Sequence, residues 1–228
     1  MKAKTFLSLL AIAFLAATSL PQAKAQSTAP QMVVTWQAYG SYIPPEYAGK
    51  ALPNQESELT ASLELLSNGK PVGLSGQTIY WYLNNTLIAS NKSYIIFSAL
   101  GTPPAFLTLK VELPNYNGNL LTHQVQIPLV SPKAIIKAPH PTAQIAGSPI
   151  VLQATPYFFY ISDARVLSYA WSVNGQTSAA AENPQILQIN LDPSTPSGSS
   201  LDVSLVITNP NDSTSGNDLT NVIYVKQL

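Results

Sequence analysis

Ile79-Tyr80-Trp81-Tyr82-Leu83-Asn84-Asn85 and, 90 positions later, Tyr169-Ala170-Trp171-Ser172-Val173-Asn174-Gly175 are two versions of one pattern. In each, a tryptophan shares its parity with apolar residues two positions away and an Asn-led turn follows. Side chains of a strand alternate between faces, so this spacing predicts a strand with Trp81 or Trp171 on a core face. The interval between the tryptophans is close to the ~100 residues of one β-sandwich. Later elements repeat in the same order. Leu107, Leu109, Val111 and Leu113 alternate with Thr108, Lys110 and Glu112, then lead through Pro114-Asn115-Tyr116-Asn117-Gly118 into 121–127. Leu201, Val203, Leu205 and Ile207 lead likewise through Asn209-Pro210-Asn211 and a Ser/Gly loop into 219–225. Leu59, Ala61, Leu63 and Leu65 form another such face, opposite Glu58, Thr60, Ser62 and Glu64. Asn68-Gly69, Asn117-Gly118 and Asn174-Gly175 are tight-turn signals, because both residues tolerate positive φ. No stretch after Gln26 carries a helical period.

The break between the copies is expected near Pro132. Pro128, Pro132, Pro139 and Pro141 crowd one stretch, and proline donates no ladder hydrogen bond and favours extended backbone, as in a stiff linker.

The amino terminus carries an export pattern. Lys2 and Lys4 precede an apolar run from Phe6 to Ala17, and Ala23-Lys24-Ala25 fits a small-x-small cleavage site, with cleavage expected after Ala25. The run of 12 residues is shorter than the ~20 of a spanning helix, and no later segment approaches that length. Loss of Lys2, Lys4 and Lys24 leaves 8 basic residues against 11 acidic ones, a net charge of −3. Charged residues make up only 10% of the chain and Arg165 is the only arginine. That composition excludes a nucleic-acid binder that works through a basic groove. The chain has no cysteine, which excludes disulfides, thiolate metal sites and thiol nucleophiles, so core burial alone must hold an exported fold.

Motifs that would carry chemistry are absent. Gly73-Leu74-Ser75-Gly76 lacks the spacing and the following helix of a nucleophile elbow. No phosphate-cradling glycine motif is present. His123 reads as a core or rim residue of a strand and His140 as a linker residue, and nothing pairs them. Glu56, Glu58 and Glu64 read as the solvated parity of one strand. The 209–218 loop holds several oxygen ligands but lacks the spacing of a calcium loop, and reads as a hairpin loop. No catalytic group, metal or cofactor is expected. Asn84-Asn85-Thr86, Asn91-Lys92-Ser93 and Asn211-Asp212-Ser213 match the N-glycosylation pattern, which matters only in a host with that pathway.

Aromatic residues are the best binding candidates. Tyr39, Tyr42 and Tyr47 surround Pro44-Pro45, and Tyr157-Phe158-Phe159-Tyr160 cannot all be buried on one face of a strand. Such rings bury large area with few torsions to freeze, which suits a protein interface or sugar stacking. The alternative is that they plug the sandwich ends or form the contact between the two copies.

The pattern around Trp171 resembles the polycystic-kidney-disease (PKD) and related immunoglobulin-like modules of bacterial surface proteins. Those modules have Tyr-x-Trp followed by Phe-Gly-Asp-Gly, where this chain has Tyr169-Ala170-Trp171 followed by Ser172-Val173-Asn174-Gly175. The chain is also similar to exported bacterial proteins that pair two such modules behind a signal peptide. The resemblance spans most of 56–228 and implies a fold and a location, not a reaction. The expectation is therefore all-β. A signal peptide spans 1–25, a first sandwich spans 26–132 with an irregular Tyr/Pro-rich segment at 36–55, and a second, PKD-like sandwich spans 133–228. The expected function is a non-enzymatic interaction or structural module of the cell envelope or exterior. It would bind an envelope protein or itself through Tyr42, Tyr47, Tyr157, Phe158, Phe159 and Tyr160. The alternative is a carbohydrate-binding module or adhesin using exposed aromatics.

Overall fold

The structure is a computed structural model that describes residues 30–103, 105–138, 144–145, 147–178, 182–211 and 218–226, the side chains of 144–145 and 218–226 excepted. The signal peptide, His140 and most of the 209–218 loop lie outside these residues.

The first half begins with β1 (Gln31–Tyr39), β2 (Glu58–Ser67), β3 (Lys70–Val72), β4 (Tyr80–Leu83) and β5 (Thr86–Ser90). It closes with β6 (Tyr94–Ser98), β7 (Ala105–Tyr116) and β8 (Asn119–Leu129). β2 pairs with β1 on one edge and with β6 and β3 on the other, while a second sheet runs β5-β4-β7-β8. All these pairings are antiparallel. Leu59, Ala61, Leu63 and Leu65 of β2 pack against Trp81 and the alternate residues Leu107 to Leu113 of β7 in one buried cluster. Burying each such side chain contributes ~1.5–3 kcal/mol, so this interior is what joins the two sheets.

The second half contains β9 (Lys133–Lys137), β10 (Gln144–Ile145), β11 (Ile150–Tyr157), β12 (Ser168–Val173), β13 (Gln176–Thr177), β14 (Ile186–Ile189), β15 (Ser200–Thr208) and β16 (Asp218–Lys226). Its sheets run β14-β11-β9 and β13-β12-β15-β16-β10, the last pair parallel. Leu152, Phe159, Trp171, Leu187, Val203, Leu205 and Ile207 are among its core. The only helical turn among the described residues is a 3-10 turn at Ala164–Val166.

Both halves follow one plan. Leaving aside the short β3 and β10, the first, second and fifth strands of each half form one sheet, and the third, fourth, sixth and seventh the other. This is an all-β, immunoglobulin-like sandwich order. The copies agree in detail. The Trp81 indole N–H donates to the Lys92 carbonyl at 2.8 Å and the Trp171 indole to that of Pro184 at 3.0 Å. Each acceptor lies two residues before the strand that follows. After each tryptophan strand, an asparagine with φ of 47° or 50° clasps the neighbouring strand in both directions. Asn84 N–H donates to the Thr108 carbonyl, and Thr108 N–H donates to Asn84 Oδ1. Asn174 and Asp202 make the same pair of bonds.

Three sequence expectations are corrected. The proline stretch is not one linker, because β8 continues to Leu129 and β9 starts at Lys133, leaving only 130–132 between sheets. Pro128 fits within β8 because that strand pairs on one side only, so the missing N–H faces an open edge. The segment 36–55 is not wholly irregular, since β1 runs through Trp36 to Tyr39, all four residues paired with β2. Glu56 lies before β2, where its backbone N–H donates to Asn54 Oδ1. His123 pairs opposite the buried Val111 and is half-buried on that inward parity.

Candidate functional site

The long loop from Gly40 to Ser57 joins β1 to β2 and is tied back at several points. Ser41 Oγ donates to the Leu52 carbonyl at 2.5 Å, and Tyr47 N–H closes a turn onto the Pro44 carbonyl. Lys50 Nζ sits 3.2 Å from the centre of the Trp36 ring, and partial burial lowers its pKa below the usual lysine value. Asn54 is fully buried. Its Oδ1 accepts from Glu56 N–H and Ser57 Oγ, and Ser57 N–H returns to the Asn54 carbonyl.

So fixed, the loop faces the second half and hydrogen-bonds it. Tyr42 N–H donates to the Phe159 carbonyl at 2.8 Å, Phe158 N–H to the Tyr42 carbonyl at 2.6 Å, and Ile161 N–H to the Gly40 carbonyl at 3.0 Å. Ser41 and Tyr160 form an antiparallel bridge. Asn54 Nδ2 donates to the Phe158 carbonyl at 2.8 Å. Phe158 therefore has both backbone groups held by the opposite half, and its φ is +61°. A bulky side chain in the left-handed region costs roughly 1–2 kcal/mol, and the bonds to Tyr42 and Asn54 are what hold it there.

Gly40 lies against Tyr160, where a Cβ would stand 2.2 Å from Cε2 of the ring, and its φ of +78° also favours glycine. Lys137 and Glu46 form an ion pair across the junction, which lowers the Glu46 pKa through the hydrogen bond from Lys137. The hydroxyl of Tyr42 is raised above the ordinary tyrosine value, chiefly by burial and then by Glu46 and Asp163. Asp163 is held at about 2 by its hydrogen bonds from Arg165.

Of the six aromatic candidates, the structure brings Tyr47, Tyr157 and Phe158 together. Tyr47 stands edge-on to Tyr157 at 5.7 Å and 73°, and to Phe158 at 6.0 Å and 86°. These are favourable edge-to-face contacts, and the rings do not share a plane. All three are half-buried and line a groove of about 710 Å³ with Leu52, Leu129 and Ile135, floored by the connection 130–133. Tyr42 contributes mainly its backbone. Tyr160 stays 43% exposed over Gly40. Phe159 is 0% exposed in the second core, so it has no surface to offer a ligand. The chain turns over at Phe158 and thereby drives the next ring inward. Trp81 and Trp171 are core residues of the two halves.

Sequence reasoning missed Gly40, Asn54 and Ser57. The spacing Asn54-Gln55-Glu56-Ser57 is that of an Asx turn, the one local signal of the buried network. Among the described residues no group of three His, Asp or Glu side chains is placed to hold a metal ion, and no helix is long and apolar enough to cross a membrane.

No protein-family model matches the chain, and no curated protein matches it. Several solved structures are similar. The fibronectin(III)-like modules of Clostridium thermocellum CbhA are 16% identical with a TM-score of 0.28, covering 85% of this chain and 95% of that one. Three N-terminal domains of the bacteriophage RB49 highly immunogenic outer capsid protein are 10% identical with a TM-score of 0.42, covering 87% and 59%. The N-terminal Ig1-2 module of the Drosophila receptor protein tyrosine phosphatase DLAR is 8% identical with a TM-score of 0.27, covering 87% and 99%. These are likenesses of fold.

Proposed function

We propose that this chain is an exported, non-catalytic interaction module of the cell envelope or exterior. In this reading a signal peptide occupies 1–25, and two sandwich domains, 26–132 and a PKD-like 133–228, present one binding surface between them. Tyr47, Tyr157 and Phe158 form that surface, and its partner is a protein of the envelope or a second copy of the chain. The observation that carries this reading is the groove of about 710 Å³ walled by three rings that neither hydrophobic core contains. Half-buried aromatics at the centre of an apolar depression have the composition of an interface hot spot. Among the described residues Lys133 is the one charged residue of its lining, and Lys137 and Glu46 across the junction are paired with each other.

The test is a photo-crosslinking phenylalanine analogue in place of Tyr157, with the tagged chain expressed in its own cells and Leu120 replaced in a parallel sample. Leu120 is 60% exposed and lies in β8, outside the groove. The expected result is an adduct at 157 with a second copy or with one defined envelope protein, and none at 120. Equal labelling at both positions, or at neither, overturns the reading.

A further inference from the structure

A second depression lies at the opposite end of the first sandwich. β1 runs toward the junction and β2 runs back, and β3 ends at Val72 opposite Leu65, so the loop that follows emerges roughly 20–25 Å away, the span of seven strand residues. There it meets the turn between β5 and β6. The two enclose a cleft of about 570 Å³ whose polar lining is Ser75, Gln77, Thr78, Asn91 and Ser93. That volume lies within the roughly 300–1,000 Å³ of small-ligand sites.

Several backbone groups of this cleft are already committed. Gln77 N–H closes a turn onto the Leu74 carbonyl, with Gly76 at φ +77° in the position that demands it. Asn91 N–H donates to the Ile79 carbonyl, and the carbonyls of Lys92 and Ser93 accept from the Trp81 indole and from Leu63 N–H. Those bonds interrupt the continuous ladder that a peptide strand would need. What is left uncommitted is five neutral side chains, hydroxyls and primary amides, on a fixed frame. Each offers both a donor and an acceptor. No charged residue lines the cleft, Lys92 included. Phosphates and carboxylates thus find no counter-charge, whereas a ring of uncharged hydroxyls finds partners for both its donors and its acceptors. Half-buried Leu74 supplies the apolar surface that the C–H face of such a ring needs.

The same end of the second sandwich shows what this position does elsewhere in the chain. The loop after β11 is occupied, its backbone bonded by the 40–42 segment of the first half. We infer that the 74–79/91–93 cleft is a binding site for a neutral carbohydrate, read by Gln77 and Asn91 and distinct from the aromatic groove.

Cellohexaose, maltohexaose and chitohexaose are titrated separately into the mature chain and followed by amide NMR, with glucose and N-acetylglucosamine as monomers and polygalacturonate as a charged control. The expected result is saturable shifts confined to 74–79 and 91–93 with at least one neutral hexaose. Binding that needs the hexaose assigns the site to a polymer, and equal binding of its monomer assigns it to a free sugar. Gln77→Ala and Asn91→Gly, the latter because glycine tolerates the φ of +55°, are each expected to weaken binding about three- to tenfold. Their spectra should be unchanged away from the cleft. Three flat titrations, shifts centred on Tyr47, Tyr157 and Phe158 instead, or equal binding of polygalacturonate would each overturn the inference.

Discussion

The two loops that precede the tryptophan strands occupy the same place in the two sandwiches and are used in opposite ways. In the second half, residues 158–161 give their backbone groups to the first half, and Phe158 adopts a left-handed conformation that the bonds from Tyr42 and Asn54 sustain. In the first half, residues 74–79 close a turn of their own from Gln77 to Leu74, give the Ile79 carbonyl to Asn91 of the same half, and leave side chains uncommitted. The frame beneath is common to both, down to the indole bond and the asparagine clasp. The difference shows that the conserved geometry of the fold sets only where the loop emerges. What it recognises follows from whether its N–H and C=O groups are spent inside the loop or left for a neighbour.

Removing the shared anchor tests the frame most severely. Trp81→Ala or Trp171→Ala each deletes a buried ring and its bond, at a cost of ~3–5 kcal/mol. Each should lower one step of a calorimetric or urea transition and leave the other in place. A single transition lowered as a whole would mean that the halves unfold as one unit. Asn54→Ala is expected to cost ~2–3 kcal/mol, because the Phe158 carbonyl loses its side-chain donor and the buried Ser57 hydroxyl loses the acceptor of its proton. Amide exchange should then quicken at 158–161 and remain unchanged at 74–79.

A third test uses a position where the copies differ. Tyr169 stands where the first half has Ile79, and its hydroxyl donates to the Ala164 carbonyl at 2.8 Å. Burial pushes its pKa up to about 12 from 10.0. The folded state thus keeps a proton that the unfolded chain loses, so this contribution is full below pH 10 and lost as pH rises to about 12. Alkaline titration should loosen the second sandwich before the first, and Tyr169→Phe should remove this residue's part of the difference. The smallest effect is expected for Lys137→Ala. Its pair with Glu46 is solvent-exposed, and such pairs contribute little, so urea midpoints with and without added salt should match the parent.

The strands were legible because burial enforces period two. Leu59 to Leu65, Leu107 to Leu113 and Leu201 to Ile207 alternate in the structure as they do in the sequence. The equivalence of Trp81 and Trp171 was legible for the same reason. The junction was legible only in composition. A run of four aromatics after Pro156 signals more rings than one face can bury, but which ring goes inside depends on the backbone reversal at Phe158. That reversal is stabilised by Tyr42 and Asn54, 116 and 104 positions earlier, and no local pattern encodes so distant a bond. Pro128 misled for a related reason, since whether a proline breaks a strand depends on whether that strand is an edge.

Only 130–132 separate the last strand of one sandwich from the first strand of the other, and Val130 N–H is itself bonded to the Pro53 carbonyl. Three residues reach no more than about 10 Å even when fully drawn out. The facing surfaces are thus tethered at an effective concentration on the order of millimolar or above. Contacts too weak to hold two free molecules together are enough to close them when joined in this way. Cutting the chain at 131 would turn a permanent arrangement into a dilution-sensitive one without removing a single contact.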